Sequence, residues 1–526
     1  MTPPSVNEAV REAFPGPRPS LPGGPEPGIR PTTALRIALY EAGRACYLCP
    51  MSDYVPAGSA GAADDDAVSA VIERANAGQV SLVRFLYADH GGIIRGKAAS
   101  SAMLPSRLRT GIGHTVAMMA MSMLDSLQPV DGMGPVGEVR ILPDPSTFVA
   151  LPYAPGAGAM LSDLVQPGGE PWDGCARTFL KQAIADMAAE GYAVHASFEP
   201  EFTLGRRETP PGGGRPDRLV PVDDSLCYSS TGFALAHDFT MELLDALQEQ
   251  GLEVESYYPE LGHGQQEMTI RHAPALRAAD NHVLYRETVR GVAFRRGLWA
   301  SLAPKPIPDQ AGNGTHLHVS LTDLGPDGQP GEHQVFYDPD DEYQLSATGY
   351  HFIGGLLAHL PALVALTCAS VNSYRRLAPH MWSSAFAVYG MDNREAAVRI
   401  CSPMLGDAAG TVNLEVKPSD SSANPYLALG AVIQAGLDGI RRKLDPGDAV
   451  NVDPATLSGA EREARGVRRL PDSLRAALDA LAADDLLMEA LGPLRRQAYL
   501  AVKRSEVADF AGHDVAWECF QHFTKI

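Results

Sequence analysis

The stretch HASFEPEFTL, His195 to Leu204, sets Glu199 and Glu201 one residue apart inside a run that otherwise reads as a half-buried strand. Side chains alternate faces along a strand, so the two glutamates point one way while Phe198 and Phe202 point the other. Adjacent carboxylates resist joint ionisation, and burial makes that worse, so the pair asks for a cation between its members. A solvated strand face accounts for an isolated E-x-E as well. What decides between the two is the company these acids keep.

Other stretches bring donors. SYYPELGHGQQEMTI, Ser256 to Ile270, carries Glu260 and Glu267 on either side of a glycine-punctuated turn. AGNGTHLHVSL, Ala311 to Leu321, puts His316 and His318 on one face of a strand, just after glycines that let backbone come close to a ligand. TVNLEVKPSDSSANPYLALG sets Glu415 on a short strand before a polar turn and a helix. Carboxylates with imidazole and no thiolate suit hard, oxygen-seeking cations such as Mg²⁺ or Mn²⁺ rather than structural zinc. The phosphates of a nucleotide would complete such a shell. Arg375 and Arg376 in NSYRRLAPH and Arg394 and Arg399 in DNREAAVRI supply forks suited to carboxylate and phosphate oxygens.

At 526 residues and 45% hydrophobic composition the chain can bury a large core and is expected to hold two domains or more. Its net charge of -20 argues against nucleic acid as a partner, because phosphate binding leans on clustered Lys and Arg. Seven scattered cysteines suit reduced thiols in the cytoplasm rather than a disulfide framework. Cys46 and Cys49 form a lone C-x-x-C with no second pair beside it. FIGGLLAHLPALVALTCASV, Phe352 to Val371, is long enough to span a membrane but carries His359 and Pro361, and reads as a buried core helix, so no membrane partner is expected. No apolar signal-peptide core stands at the start, so export is not expected.

Residues 1–67 include PGPRPSLPGGPEPGIRP and GSAGAADDD and are expected to be disordered. Met51 opens MSDYV just ahead of the folded-looking sequence, so the segment before it reads as an overextended start. SLVRFLYADHGGIIRGKA gives two apolar strands around the turn DHGG and places a small sheet domain over 78–163. CARTFLKQAIADMAAEGY has helical periodicity, ends at a glycine and leads into the E-P-E strand, opening a larger domain over 171–526. That domain mixes strands such as THLHVSL with helices such as NHVLYRETVRGVAFRRG and turns mostly helical from about Pro471, so the fold class is α+β. No internal repeat and no Gly-rich phosphate loop is evident.

In this order and spacing the motifs resemble the glutamine synthetase superfamily, class I-like, from about Val80 to the end. The family's E-x-E-F is Glu199 to Phe202, and its glycine turn between two glutamates is E-x-x-x-G-x-x-E, Glu260 to Glu267. G-x-G-x-H-x-H-x-S is Gly312 to Ser320, N-S-Y-[KR]-R-L is Asn372 to Leu377, N-R-x-x-x-x-R-I is Asn393 to Ile400, and S-A-N-P-Y-L-A is Ser422 to Ala428. The resemblance implies a β-grasp N-terminal domain and a larger catalytic domain whose curved antiparallel sheet walls a funnel, with ATP at one end and L-glutamate at the other. It implies that Glu201, Glu260 and Glu267 hold one divalent ion and Glu199, His316 and Glu415 another. Arg376 would clamp the α-carboxylate of glutamate, Gly312 would lend backbone near its amino group, and Arg394 and Arg399 would hold phosphates during transfer. His318 and Ser320 would lie near the nucleotide. Lys417 stands where the family usually has arginine, so the charge survives and the fork does not. The resemblance also implies a homo-oligomer, a dodecamer of two stacked rings with active sites between subunits.

True glutamine synthetases hold ammonium with two carboxylates, one on the loop after N-S-Y-K-R and one in the N-terminal domain of a neighbouring subunit. Aligned without a gap, the first position falls on Trp382, and counting back from Asp89 the second falls on Arg84. Trp and Arg in place of two acids repel a cation and make room for something flat or apolar. The sequence therefore looks closer to the γ-glutamyl amine ligases, with a neutral, weakly basic or aromatic acceptor, as in γ-glutamylanilide formation. The alternatives are a γ-glutamylpolyamine or γ-glutamylethanolamide synthetase, an authentic glutamine synthetase, and a non-catalytic nitrogen sensor that would ordinarily shed metal ligands.

Overall fold

The computed structural model describes residues 64–209, 218–325 and 327–526. The proline-rich extension through residue 63, with Met51 and the Cys46/Cys49 pair, lies outside them. The expected end of that extension at residue 67 is corrected: Asp65–Ala77 is a helix, and the side chain of Asp64 accepts from Ala67 N at 2.8 Å. The acidic run expected to be disordered supplies an N-cap and negative charge at the positive end of a helix.

In the N-terminal sheet, Leu82–Ala88 pairs antiparallel with Ile94–Ser100 across the DHGG turn and parallel with Ala157–Val165. Ala157–Val165 pairs in turn with Glu138–Pro143, and that strand with Ile112–Thr115. Val83, Phe85 and Tyr87 enter this domain's core beside Val68 and Val71, whereas Leu86 and Ala88 enter the core of the larger domain. One strand thus ties both cores by simple alternation. The turn itself docks closely. Gly92 has φ +84°, and a Cβ there would lie 2.2 Å from Ser422 O. Asn424 Nδ2 donates to Ala88 O and Asp89 O at 3.1 and 3.0 Å, and Lys503 Nζ to Gly91 O at 3.1 Å. Buried Arg177 adds a second joint: its guanidinium meets Asp280 at 2.8 Å, Asp144 at 2.8 Å and Asp163 at 3.2 Å.

The larger domain rests on a twelve-stranded sheet. Tyr192–Glu208 runs through its middle between Thr315–Leu324 and Gln265–Ile270. Asn413–Val416, Ala396–Cys401 and Phe386–Met391 follow on one side and Val254–Pro259 on the other. Its pairs are antiparallel with one exception among the described residues, Phe386–Met391 beside Ala396–Cys401. Asp392, left-handed at φ 48°, turns the short link back, so Ala396 starts opposite Phe386 and the two strands run parallel.

Phe198 and Phe202 point into a core shared with Ala176–Ala189, Ala275–Arg295, Ala347–Thr367 and Pro425–Arg442. The helix Ala347–Thr367 is long and apolar enough to cross a membrane, but it is a core helix, with Phe352, Leu356 and Leu360 fully buried. It crosses Pro425–Arg442 so closely that a Cβ at Gly355 would lie 2.1 Å from Ala435 O. With the phenylalanines on the helical side, Glu199 and Glu201 are left to the other face of the sheet.

Candidate active site

The register of the sheet sets the neighbours of those two acids. Glu199 lies opposite His316, Glu415 opposite His318 and Arg399, and Glu201 opposite Glu267, which faces Tyr258 in turn. Side chains directly across neighbouring strands stand about 5 Å apart, so they form one continuous row.

The row divides into two groups. In the first, His318 Nε2 lies 3.1 Å from Glu199 Oε2 and 4.0 Å from Glu415 Oε1. His316 Nδ1 lies 3.3 Å from Glu415 Oε1 and 4.0 Å from Glu199 Oε2. Lys417 Nζ sits 3.0 Å from Glu415 Oε1, and Arg399 Nε donates to Glu415 Oε2. Burial opposes ionisation of Glu415, but Lys417, the imidazoles and Arg399 outweigh it and hold the carboxyl well below the ordinary range. Glu199 is likewise low, its burial outweighed by His318. Burial opposes a charge on His318, yet Glu199 keeps its proton bound well above the usual range.

The second group has no cation in direct contact among the described residues. Glu201, Glu260 and Glu267 make no ion pair among the described residues. Burial pushes Glu201 up to about 7, with Arg376 opposing and Glu260 adding. Burial, then Glu201 and Glu199, push Glu267 well above its ordinary value, and burial raises Glu260. Neutral donors serve these acids: Gln265 Nε2 donates to Glu201 Oε2 at 2.6 Å, Tyr228 OH to Glu260 Oε1 at 3.3 Å, and Tyr258 OH to Glu267 Oε1.

Buried acids without a counter-ion, beside an imidazole holding a proton among carboxylates, are what divalent cations relieve. The donors fit hard ions, being carboxylate oxygens with imidazole and no thiolate. His318 Nδ1 lies 2.8 Å from Asn413 Oδ1, a contact of the kind that would orient a ligating histidine, while its Nε2 faces the Glu199 carboxylate at 3.1 Å. Glu199, His318 and Glu415 each bring a donor atom within 4.8 Å of the others. The expectation gave His316 alone to these carboxylates and sent His318 to the nucleotide. Residues two apart on a strand share a face, so the structure brings both imidazoles to the same pair of acids.

Comparison with known proteins gives the same answer over the whole of both domains. Residues 173–522 match the glutamine synthetase catalytic domain, and residues 67–172 match the glutamine synthetase N-terminal domain. The chain belongs to the glutamine synthetase family. It is 36% identical over 465 residues to a γ-glutamylpolyamine synthetase of Streptomyces coelicolor, covering 88% of this chain and 97% of that one. A glutamine synthetase of Halobacterium salinarum is 36% identical over 393 residues, 74% of this chain and 83% of its own. The crystal structure of a glutamine synthase homologue superposes with a TM-score of 0.75 at 35% identity, over 85% of this chain and 99% of the other. The protein is an ATP-dependent carbon–nitrogen ligase of this family.

Around the two groups of acids this glutamine synthetase fold sets the remaining residues. Arg376 is 3% exposed, donates Nη2 to Ser419 O at 3.1 Å, and leaves Nη1 buried without a partner. Gly314 makes room for it: a Cβ there would lie 2.6 Å from Arg376 Nη2, 2.8 Å from His316 Nε2 and 3.0 Å from Glu201 Oε1. Gly312 accepts Gln265 Nε2 at 3.0 Å through its carbonyl. Lys417, 2% exposed, is committed to Glu415, and so is Arg399. Arg394 is exposed, and its charge acts on Glu260. Ser320 shares the face of His316 and His318 but lies further along, opposite His195. Trp382 is 61% exposed, with its backbone N–H donated to Glu395 Oε1 at 2.9 Å. Arg84 lies apart in the N-terminal sheet between Ala98 and Ala159, and no described contact ties it to the acids of its own chain.

Tyr228, Tyr258 and Gln265 escaped the sequence reading. A signal for two of them existed. Tyr258 and Gln265 each stand two residues before a metal-type glutamate, Glu260 and Glu267, and i, i+2 spacing on a strand means a shared face.

Proposed function

We propose that the enzyme joins the γ-carboxylate of L-glutamate to an amine other than ammonia, and that the acceptor is a neutral, weakly basic or aromatic amine. The observation that carries this reading is Trp382, exposed at the position expected for an ammonium-binding glutamate. In the first half-reaction a γ-carboxylate oxygen attacks the γ-phosphorus of ATP, and ADP leaves. In the second the amine lone pair attacks the γ-carbonyl carbon of γ-glutamyl phosphate, phosphate leaves, and the amine gives up a proton.

The chain's own groups suit these steps. Arg376 Nη1, buried and unpaired, is a ready donor for the α-carboxylate of glutamate, with the carbonyl of Gly312 near its amino group. Arg394, exposed, meets the phosphates, while Arg399 and Lys417 keep Glu415 ionised. Ser320, further along the strand of His316 and His318, is left to the nucleotide side. Two divalent ions, Mg²⁺ or Mn²⁺, held by Glu201, Glu260 and Glu267 and by Glu199, Glu415 and the imidazoles, would screen the repulsion between triphosphate and carboxylate. Proton accounting favours the acceptor class. An alkylammonium, with a pKa of about 10, must be deprotonated before it attacks, whereas an arylamine is already neutral.

The name of the Streptomyces relative favours a second reading, a polyamine acceptor. Assembly as a two-ringed dodecamer with Arg84 entering a neighbour's site, and residence in the cytoplasm, complete the proposal. The free state of Cys175, Cys227, Cys368, Cys401 and Cys519 fits a reducing compartment. Phosphate release from ATP, with glutamate and Mg²⁺, run against ammonium, alkylamines, ethanolamine, polyamines and anilines is the test. Turnover with anilines and little with ammonium supports the reading. Preference for spermidine or putrescine transfers it to the second, and activity with ammonium alone overturns both.

A further inference from the structure

The loop between Arg376 and the strand Phe386–Met391 is built inside out. Its hydroxyls are buried, Ser383 at 1% and Ser384 at 0% exposure, while Met381 and Trp382 stand out at 38% and 61%. Ordinary loops do the reverse, because apolar surface gains by burial and hydroxyls by water. Three of its residues other than glycine, His380, Trp382 and Ser384, have φ of 64°, 53° and 70°. Side chains with a Cβ avoid that region, and such backbone persists only where surrounding groups hold it.

One residue touches all three. Glu395 Oε1 accepts the N–H of Trp382 at 2.9 Å, its carboxylate also accepts the N–H of His380, and its carbonyl accepts Ser384 Oγ at 3.0 Å. Glu395 is 9% exposed and is fixed in its turn, donating its own N–H to Asn393 Oδ1 at 3.0 Å while Asn393 Nδ2 donates to Val450 O at 2.6 Å. The two ends of this unit reach the site. Ser383 Oγ donates to Arg376 O at 2.6 Å, and Arg394, next to Glu395, acts on Glu260.

We infer that Glu395 is a positioning residue for acceptor specificity: its carboxylate holds the loop in the left-handed conformation that presents the Trp382 indole to the incoming amine. The inference rests on the reading of Trp382 as part of the acceptor side. An indole held on a strained backbone is a fixed flat wall, which an arylamine can stack against and a small hydrated cation cannot use. Without Glu395 the loop relaxes and the wall is lost, while Arg376 keeps its own bond to Ser419 O.

The test compares Glu395→Ala, Glu395→Asp and Glu395→Gln with Trp382→Ala in the full chain, with Mg²⁺, ATP, glutamate and the best amine of the panel. Alanine removes the acceptor, aspartate withdraws it by one methylene and preserves folding if alanine does not, and glutamine keeps an oxygen for Trp382 N. Expected is a rise in the KM for amine of about ten-fold in the Ala and Asp variants, the scale of losing hydrogen bonds to a carboxylate, with the KM for glutamate unchanged and largely restored amine KM in Glu395→Gln. Acrylamide quenching of the Trp382 signal, assigned by difference against Trp382→Phe, should change in the Ala and Asp variants and not in Gln. If Trp382→Ala raises the amine KM while the Ala and Asp variants do not, Glu395 has no positioning role. Should Trp382→Ala leave the amine KM unchanged, the acceptor reading of Trp382 fails, and unaltered quenching in the Ala and Asp variants then overturns the loop inference separately.

Discussion

Gly314→Ala tests how tightly the site is packed where its two halves meet. The added Cβ would lie 2.6 Å from Arg376 Nη2, 2.8 Å from His316 Nε2 and 3.0 Å from Glu201 Oε1. Ordinary contact begins at about 3.5 Å, so the guanidinium must retreat by about 0.9 Å and the imidazole by about 0.7 Å. A misplacement of about 1 Å in reacting groups costs roughly 10²-fold in rate, or about 2.7 kcal/mol of transition-state stabilisation. The fold should tolerate the change. All three obstacles are side-chain ends, the φ of Gly314 is outside the left-handed region, and its carbonyl bond to Glu201 N at 3.0 Å is unaffected by a methyl group. The expected outcome is therefore a kcat/KM for glutamate down about 100-fold in the phosphate-release assay, with a thermal midpoint close to that of the parent. Gly312→Ala provides the contrast, since its Cβ would meet the Pro304 carbonyl at 2.3 Å, backbone that cannot step aside, and should lower the midpoint as well. A Gly314→Ala enzyme within about three-fold of the parent would refute the claim that Arg376, His316 and Glu201 converge on that glycine.

Two further substitutions separate stability from chemistry. Burial, with Glu201 and Glu199 adding, raises the Glu267 carboxyl well above its ordinary value, so as pH rises above the unfolded value of about 4.3 its ionisation increasingly opposes folding. Glu267→Gln should raise the thermal midpoint of metal-free protein more at pH 8 than at pH 5 and abolish the Mg²⁺-induced rise in midpoint; a lowered metal-free midpoint would contradict the picture of a crowded acid. His359 sits 2.7 Å from Asp484 and 3.1 Å from Asp438, and although burial lowers its pKa these two acids outweigh it and raise the value. Its contribution is fully present below about 6.5 and fades as pH climbs through the raised value, so His359→Gln should destabilise more at pH 6 than at pH 9 in urea titrations.

How much of this could be read beforehand follows from periodicity and range. The E-P-E strand, the DHGG hairpin and the helix after Cys175 are local patterns, and all three stand where alternation and helical spacing put them. The acids of the site were legible for the same reason, since each lies in a short strand-like run. What escaped was set across strands or by non-local docking. Tyr258 is a partner of Glu267 only because of the register between Val254–Pro259 and Gln265–Ile270. His318 joins the Glu199 and Glu415 carboxylates because a third strand, Asn413–Val416, lies next to its own. Asp64 to Asp66 looked like a solvated tail, and only the helix behind them makes them a cap. The parallel pair around Asp392 breaks the usual expectation for strands joined by so short a link.

The electrostatic contrast between the two acid groups bears on how the site fills. A cation entering beside Glu199 and Glu415 must displace a proton from His318 and compete with Lys417 and Arg399 for carboxylate oxygens already in use. One entering beside Glu201, Glu260 and Glu267 meets neutral donors and breaks no ion pair there, but it must displace the protons that burial holds on these acids. Both groups hang from one strand, two residues apart, and the repulsion between them is part of what raises Glu267. The strand that raised the question of paired glutamates thus couples the two groups, since its alternation fixes their spacing and brings the charges of both to bear on Glu267.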